Sequence, residues 1–403
     1  MNNIYIARQP IYDSAIEIIG YELLYRDSES NMAEFTDGKT ASSETIVNSF
    51  IHIGIDNLAG TSLAFVNLPT EFILDNALIP MFHEQSVLEI LEEVEPSQEV
   101  ISGVKRLKEK GYKIALDDFV YSEKIIPMLE LADFVKIDVL DYQQKELAEL
   151  ISLLKKHHKV KLIAEKVETN ELFLQCKTLD FDYYQGYFFC YPQMVVQKKV
   201  CANKMVVMSL ITEILKPETE IQGLEDVLSR DVTLTYKLLR YINSAAFSLR
   251  REIESIKDAI VLLGLDSIKN WASLILISKL NDDKPDQLIT TALQRAKMVE
   301  LIARNTTPEL EKQAFICGLF SVLDALMDKP MIDLLDTVIL STPIKLALLD
   351  YEGELGELLK NCILYERAEF DKLDDSCIKT KRLNESYLTA VKWADTTIRE
   401  LKN

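Results

Sequence analysis

Basic residues are scarce in this chain relative to acidic ones: 45 Lys and Arg stand against 64 Asp and Glu, a net charge of −19 over 403 residues. That balance argues against nucleic acid as a main partner, because phosphate backbones are held by basic surfaces. A phosphorylated small molecule still fits if metal ions and a few basic side chains supply positive charge locally. Long apolar runs are missing too. No stretch of 18 apolar residues occurs, which excludes a transmembrane helix, and the opening MNNIYIARQP lacks the apolar core of a signal peptide. The expectation is a cytoplasmic protein without membrane contact. Six cysteines, Cys176, Cys190, Cys201, Cys317, Cys362 and Cys377, show no CxxC pair and no regular spacing, so reduced structural thiols are expected. Histidine is limited to His52, His83, His157 and His158, scattered over helical or loop positions.

What the first half does contain is a series of polar residues at the ends of short apolar runs. Glu22 ends IGYE, Asn67 ends LAFVN, Glu89 closes VLE, Asp117 and Asp118 end IALDD, Lys136 follows DFV, Glu165 ends LIAE and Gln185 precedes GYFF. The intervals are 45, 22, 28, 19, 29 and 20 residues, and a strand with its return helix takes roughly 20 to 30. In a mostly parallel sheet every strand delivers its C-terminal end to one face, so these groups converge on one pocket. Between the runs, SSETIVNSFIHIGID, EVISGVKRLKEKG, QKELAELISLLKKHH and ETNELFLQCK have helical apolar spacing, with Gly111 as a helix stop. NIYIARQPIYD and EIIGYELLYR leave no room for a helix between them and read as an antiparallel pair. The expected fold is an α/β TIM-like barrel with an antiparallel first strand.

The length points to two domains. MVVQKKVCANK reads as a helix or linker, and from about Met205 nothing reads as a strand. MVVMSLITEIL, LEDVLSRDVTLTYKLLRYINSAAF, SIKDAIVLLG and DSIKNWASLILISKL all carry helical spacing, with Gly264 as a stop and Asp266 as the next N-cap. The expected division is a barrel over 1–192, a linker over 193–205 and an all-α domain over 206–403.

Carboxylate and amide oxygens without cysteine or well-placed histidine favour hard divalent cations over zinc. Two such ions about 3.5 to 4 Å apart suit phosphodiester hydrolysis, activating a water and stabilising both attacking and leaving oxygens. Any single strand-end acid is more often solvated than catalytic. Seven successive strand ends carrying acids, an Asn, a Lys and a Gln are not explained that way.

From about Ala7 to Pro192 the segments resemble the EAL domain, the barrel that hydrolyses the bacterial second messenger cyclic di-GMP to linear pGpG. ARQPI looks like the opening guanine-contacting motif, with Gln9, and GYELLYR like the signature itself, with Leu23 where Ala is usual. FVNL, LEILE, ALDDF, VKID, AEKVE and QGYFFCYP follow in family order. The resemblance implies that Glu22, Asn67, Glu89, Asp117 and Asp118 hold Mg2+ or Mn2+ in a two-metal site, with Arg26 on a phosphate. It implies that Glu165 is the general base, that Lys136 and Gln185 orient the attacking water or the metal shell, and that Glu92 braces the loop after Asp118. After the paired aspartates the family pattern Phe-Gly-x-Gly-x-Ser-Ser is replaced by Phe119, Val120, Tyr121, Ser122 and Glu123. A β-branched residue resists the positive φ open to Gly, so this loop is expected to take another path. The ligand set points to a phosphodiesterase; the altered loop points to a cyclic di-GMP receptor that does not cleave; a nucleotide-independent scaffold is the third reading.

YKLLRYINSAAFSLRREIESIKDAIVLLGLDSIKNW resembles the HDOD domain, an all-helical relative of the HD metal phosphohydrolases. Those hydrolases need several His and Asp ligands, yet no histidine follows His158, and GLFSVLDAL puts Ser321 and Val322 where a His-Asp pair would stand. The resemblance therefore implies no metal catalysis there and an output role in signal transduction through a protein partner, with a homodimer also open. The asparagine of INSAAF is expected to be a packing or capping group.

Overall fold

The computed structural model of the protein describes residues 4–27, 58–75, 85–188 and, from 202 to 402, all but 217–218, 230–234, 237, 240–241, 244–252, 254, 282–284, 339, 374–377 and 379. The chain divides into two compact units, 1–188 with 366–370 and 189–365 with 371–403.

The first unit is a closed barrel of eight strands in sequence order. β1 (Ile4–Tyr12) runs antiparallel to both β2 (Ile18–Asp27) and β8 (Tyr183–Gln185). β2, β3 (Leu63–Asn67), β4 (Ser86–Ile90), β5 (Lys113–Leu116), β6 (Phe134–Asp138), β7 (Lys161–Glu165) and β8 follow in parallel. The antiparallel opening pair and the parallel remainder match the sequence reading.

Strand side chains alternate between inside and outside, and the sequence uses that period to fill the barrel in two layers. Ile11, Phe65, Val87, Ala115, Phe134 and Ile163 form a buried cluster, with Ile19, Leu63 and Tyr183 packed against it. Phe65 and Phe134 meet edge to face at 5.2 Å, a favoured aromatic geometry. Two residues further along the parallel strands stand Asn67, Glu89, Asp117, Lys136, Glu165 and Gln185. On antiparallel β1 the polar partner comes two residues earlier, Gln9 before Ile11. The apolar layer closes one end of the barrel and the polar layer faces the other.

Return helices form where periodicity and capping agree. Gln98–Glu109 begins at Ser97, whose side chain accepts from the Val100 N–H, and stops before Gly111 at φ 93°. Gln144–His157 opens on a Gln143/Glu146 capping box, and Asn170–Thr178 is capped by Thr169. The segment SSETIVNSFIHIGID lies outside the described residues. Gly186 has φ 148°, and a Cβ there would lie 2.0 Å from the Val167 carbonyl oxygen. Only glycine lets the end of β8 pass that close to the loop after β7.

In the second unit every regular element among the described residues is helical, and none of these helices is long and apolar enough to cross a membrane. Helix Ile256–Leu263 is capped by Ser255, and Gly264 at φ 87° ends it. Helix Leu265–Ser278 starts directly on Gly264. Asp266 is therefore a first-turn acid and not the expected N-cap: a glycine at φ 87° reverses the chain in one residue and leaves no room for a separate cap. Asp266 pairs instead with Lys312 at 2.6 Å. Helices Asp286–Thr306 and Glu311–Phe320 touch backbone to backbone at Gly318, where a Cβ would lie 2.6 Å from Ala296 Cα. Trp271, Phe315 and Trp393 pack together nearby. Asn243 donates to the Ile253 carbonyl at 2.8 Å and accepts from the Ile253 N–H at 2.7 Å. The asparagine of INSAAF thus makes backbone-type bonds to a residue ten positions away.

Candidate functional site

Lys136 is fully buried at the centre of the polar layer. Its Nζ lies 2.7 Å from Asp117 Oδ1, 2.8 Å from Glu89 Oε1, 3.0 Å from Glu165 Oε1 and 3.1 Å from Glu22 Oε2. One ammonium thus neutralises part of the charge of four carboxylates drawn from β2, β4, β7 and the end of β5. Burial alone would lower its pKa, but the carboxylates, Glu22 foremost, hold it well above the usual lysine value. The lysine stays charged.

The acids respond oppositely to burial. Desolvation pushes Glu89 well above the ordinary carboxylate range against the pull of Lys136, and Glu22 and Asp117 add to the rise. Glu165 is pushed by burial up to about 8, again opposed by Lys136. Crowded acids around too little positive charge gain protons. Oxygens of Glu22, Glu89 and Asp117 all lie within 4.8 Å of one another. Glu89 Oε2 is buried and lacks a hydrogen-bond partner among the described residues. A hard divalent cation fits this set, since it takes carboxylate oxygens and adds the positive charge the cluster is short of.

Neutral side chains complete the layer. Asn67 sits beside Glu89 in the β3–β4 register. Gln185 is almost fully buried and donates through Nε2 to Glu22 Oε2 at 2.5 Å and Gln9 Oε1 at 3.0 Å. Sequence reasoning thus named eight residues that the barrel brings to one layer: Gln9, Glu22, Asn67, Glu89, Asp117, Lys136, Glu165 and Gln185. Arg26 lies on β2 opposite Tyr5, and its side chain is outside the described residues.

Asp118 stands apart from the lysine cluster. It adopts φ 38°, in the left-handed region that Asp tolerates better than most residues. Desolvation raises its pKa, and the neighbouring charges of Asp117 and Glu92 add to the rise. Glu92 is exposed. After Asp118 the chain is pinned by the Phe119 N–H donating to the Lys136 carbonyl at 3.0 Å and by the Tyr142 hydroxyl donating to the Phe119 carbonyl at 3.2 Å. Val120 is 71% exposed and is not among the positive-φ residues. The left-handed position falls two residues before it.

One pair escaped the sequence reading. Asp138 on β6 is buried, accepts from the Leu140 N–H at 2.9 Å and forms an ion pair with Lys166. The hydrogen bond to Asp138 raises the Lys166 pKa, and Lys166 itself adopts φ 54°. The signal was available in VKID: Asp138 follows Lys136 by two and shares its face.

The EAL domain model matches residues 31–192 and the HDOD domain model residues 202–328. The curated relative named cyclic di-GMP phosphodiesterase CdgJ, from Vibrio cholerae, is 34% identical over 385 residues, covering 94% of this chain and 88% of that protein. The uncharacterized protein YuxH of Bacillus subtilis is 30% identical over 400 residues, covering 97% and 98%. Among solved structures, the EAL domain of FimX from Pseudomonas aeruginosa bound to c-di-GMP aligns at 21% identity with a TM-score of 0.36, covering 46% of this chain and 89% of that one.

Proposed function

The chain belongs to the family of proteins that join an EAL domain to an HDOD domain, and from that premise we propose that it hydrolyses cyclic di-GMP to linear pGpG. The observation that carries the reading is the convergence of four carboxylates on Lys136 at one end of the barrel, with Glu89 Oε2 lacking a hydrogen-bond partner among the described residues. The relative CdgJ bears the name of a cyclic di-GMP phosphodiesterase, which supports the same substrate.

In this reading Glu22, Asn67, Glu89, Asp117 and Asp118 hold Mg2+ or Mn2+. When bound, such ions supply Lewis acidity and lower the pKa of water. Glu165 takes the proton of the attacking water as general base. Burial pushes its carboxyl up to about 8, and the positive charge of bound cations would lower it toward the working range of a general base. Lys136 holds the carboxylate oxygens together and offers its ammonium to the water or the phosphate oxygen. Gln9 contacts a guanine, Arg26 a phosphate, Gln185 orients the metal shell and Glu92 supports the loop after Asp118.

The domain limits belong to the same proposal: a barrel over 1–192, a linker over 193–205 and a helical domain over 206–403. With no histidine after His158, the helical domain is read as the part that engages a protein partner. Incubating the full chain with cyclic di-GMP and Mg2+ or Mn2+, then chromatographing the products, tests the activity. Linear pGpG is the expected product; cyclic nucleotide left unchanged with either cation overturns hydrolysis.

A further inference from the structure

We propose that Gln185 is a positioning residue through which Gln9 controls the cation affinity of Glu22. The inference rests on the reading of the barrel as a cation site and concerns a coupling inside it.

Three adjacent strands set the geometry. The β1–β2 register places Gln9 opposite Glu22, and the β1–β8 register places Ile11 opposite Gln185. The two hydrogens of the Gln185 amide are both committed, one to Glu22 Oε2 at 2.5 Å and one to Gln9 Oε1 at 3.0 Å. Their chemistry fixes the amide orientation, because a carboxylate oxygen only accepts and the NH2 group must face it. Gln185 is also rigidly mounted: its carbonyl accepts from the Val167 N–H at 3.0 Å, and the next residue is the tightly packed Gly186.

Its Oε1 is buried and has no hydrogen-bond partner among the described residues. That atom does nothing to hold the amide in place. Among the hydrogen bonds of the described residues, only its two donor bonds set the orientation of the amide, and Gln9 accepts one of them. Removing the Gln9 acceptor frees the amide to rotate toward a partner for Oε1, which loosens the bond to Glu22. Hydrogen bonds to a metal-ligating carboxylate orient it and tune its affinity, typically by about 10- to 100-fold on mutation. Gln9 contacts no carboxylate of the cluster directly through any hydrogen bond among the described residues. Its influence on the cation must pass through Gln185.

Calorimetric titration of the full chain with Mn2+, without nucleotide, tests this on four proteins: the native chain, Gln9→Met, Gln185→Met and the double variant. Methionine keeps the side-chain length and removes donor and acceptor. Gln185→Met should weaken Mn2+ binding by about tenfold. Gln9→Met should weaken it by at least about threefold in the native background and by less than about 1.5-fold in the Gln185→Met background, the non-additivity of residues in one network. Gln9→Glu, which keeps an acceptor for the Gln185 amide, should bind Mn2+ at least as tightly as the native chain. Effects of Gln9→Met that are equal in both backgrounds, or Gln9→Glu weakening as much as Gln9→Met, overturn the relay while leaving the cation site standing. Failure of the native chain to bind Mn2+ overturns both.

Discussion

Replacing Lys136 with Met removes one charge from the most crowded part of the barrel and should cost more stability than any other single change in the polar layer. The Nζ lies within 3.1 Å of four carboxylate oxygens, and the side chain is inaccessible to solvent. Breaking a buried pair by deleting one partner costs about 3–5 kcal/mol, because the remaining charge has no compensation. Here four acids share one cation, but the total stays near that range because acids with raised pKa take up protons when the ammonium is gone. For a unit of this size, that loss corresponds to a fall of about 6–20 °C in Tm. The acids' protonation also gives the penalty a pH dependence. It should be smaller at pH 5.5 than at pH 8.5, and added Mn2+ should return part of the loss by supplying positive charge in place of the ammonium. Calorimetry of the full chain measures the barrel transition. Trp271 and Trp393 are the only tryptophans and both belong to the second unit, so their fluorescence identifies the other transition. A Lys136→Met barrel within about 1 kcal/mol of the native one at pH 8.5 without cation would mean that the ammonium does not offset the carboxylates, and the electrostatic reasoning would fall.

In the cation-free native protein, Glu165 has its pKa raised from the usual 4.5 to about 8. A raised folded-state value contributes stability that is present below pH 4.5 and lost as pH rises through about 8, with a slope of up to about 1.4 kcal/mol per pH unit. Denaturant titrations between pH 5 and 8 should show that decline, and Glu165→Gln should flatten it; an unchanged slope in the variant would assign the proton elsewhere. The same Glu165→Gln variant should lose turnover of cyclic di-GMP by at least about a hundredfold, in line with removal of a general base, while its nucleotide affinity by calorimetry stays close to native. In the helical unit, Asn243→Ala leaves both polar groups of the buried Ile253 backbone without their side-chain partner and should cost about 2 kcal/mol, read as a lower midpoint by tryptophan fluorescence. Asn243→Asp, which keeps the acceptor for the Ile253 N–H, should recover part of it.

The barrel was legible because its period is written twice in the sequence, once as the spacing of strand ends and once as the step of two from an apolar to a polar residue. Phe65 to Asn67, Val87 to Glu89 and Ile163 to Glu165 each carry a core residue and a site residue on one face. The antiparallel opening was legible from a gap too short for a helix. The centre of the site was not. Nothing in the spacing of VKID says that Lys136 contacts four acids from four other segments, because those contacts depend on the barrel's closure and the stagger between strands. The alternation that selects Lys136 also selects Asp138, but its partner Lys166 comes from just past β7, a pairing set by the β6–β7 register and not by the spacing within VKID. Asp266 was misassigned as a cap because a single glycine with positive φ can end one helix and start the next, and composition does not distinguish that turn from a longer one. The path of the loop after Asp118 also depended on backbone geometry: positive φ falls on Asp118, and Val120 is accommodated at the surface.

The central claim is that the polar end of this barrel is a divalent-cation site built to activate water. Anomalous diffraction from a crystal of the full chain grown with Mn2+ tests it most directly. The expected map shows manganese against the carboxylates of Glu22, Glu89 and Asp117 and the amide oxygen of Asn67, with the Lys136 ammonium displaced from at least one carboxylate it touches in the cation-free protein. A map with no manganese in the barrel at millimolar Mn2+, and Lys136 still held by all four acids, would contradict it.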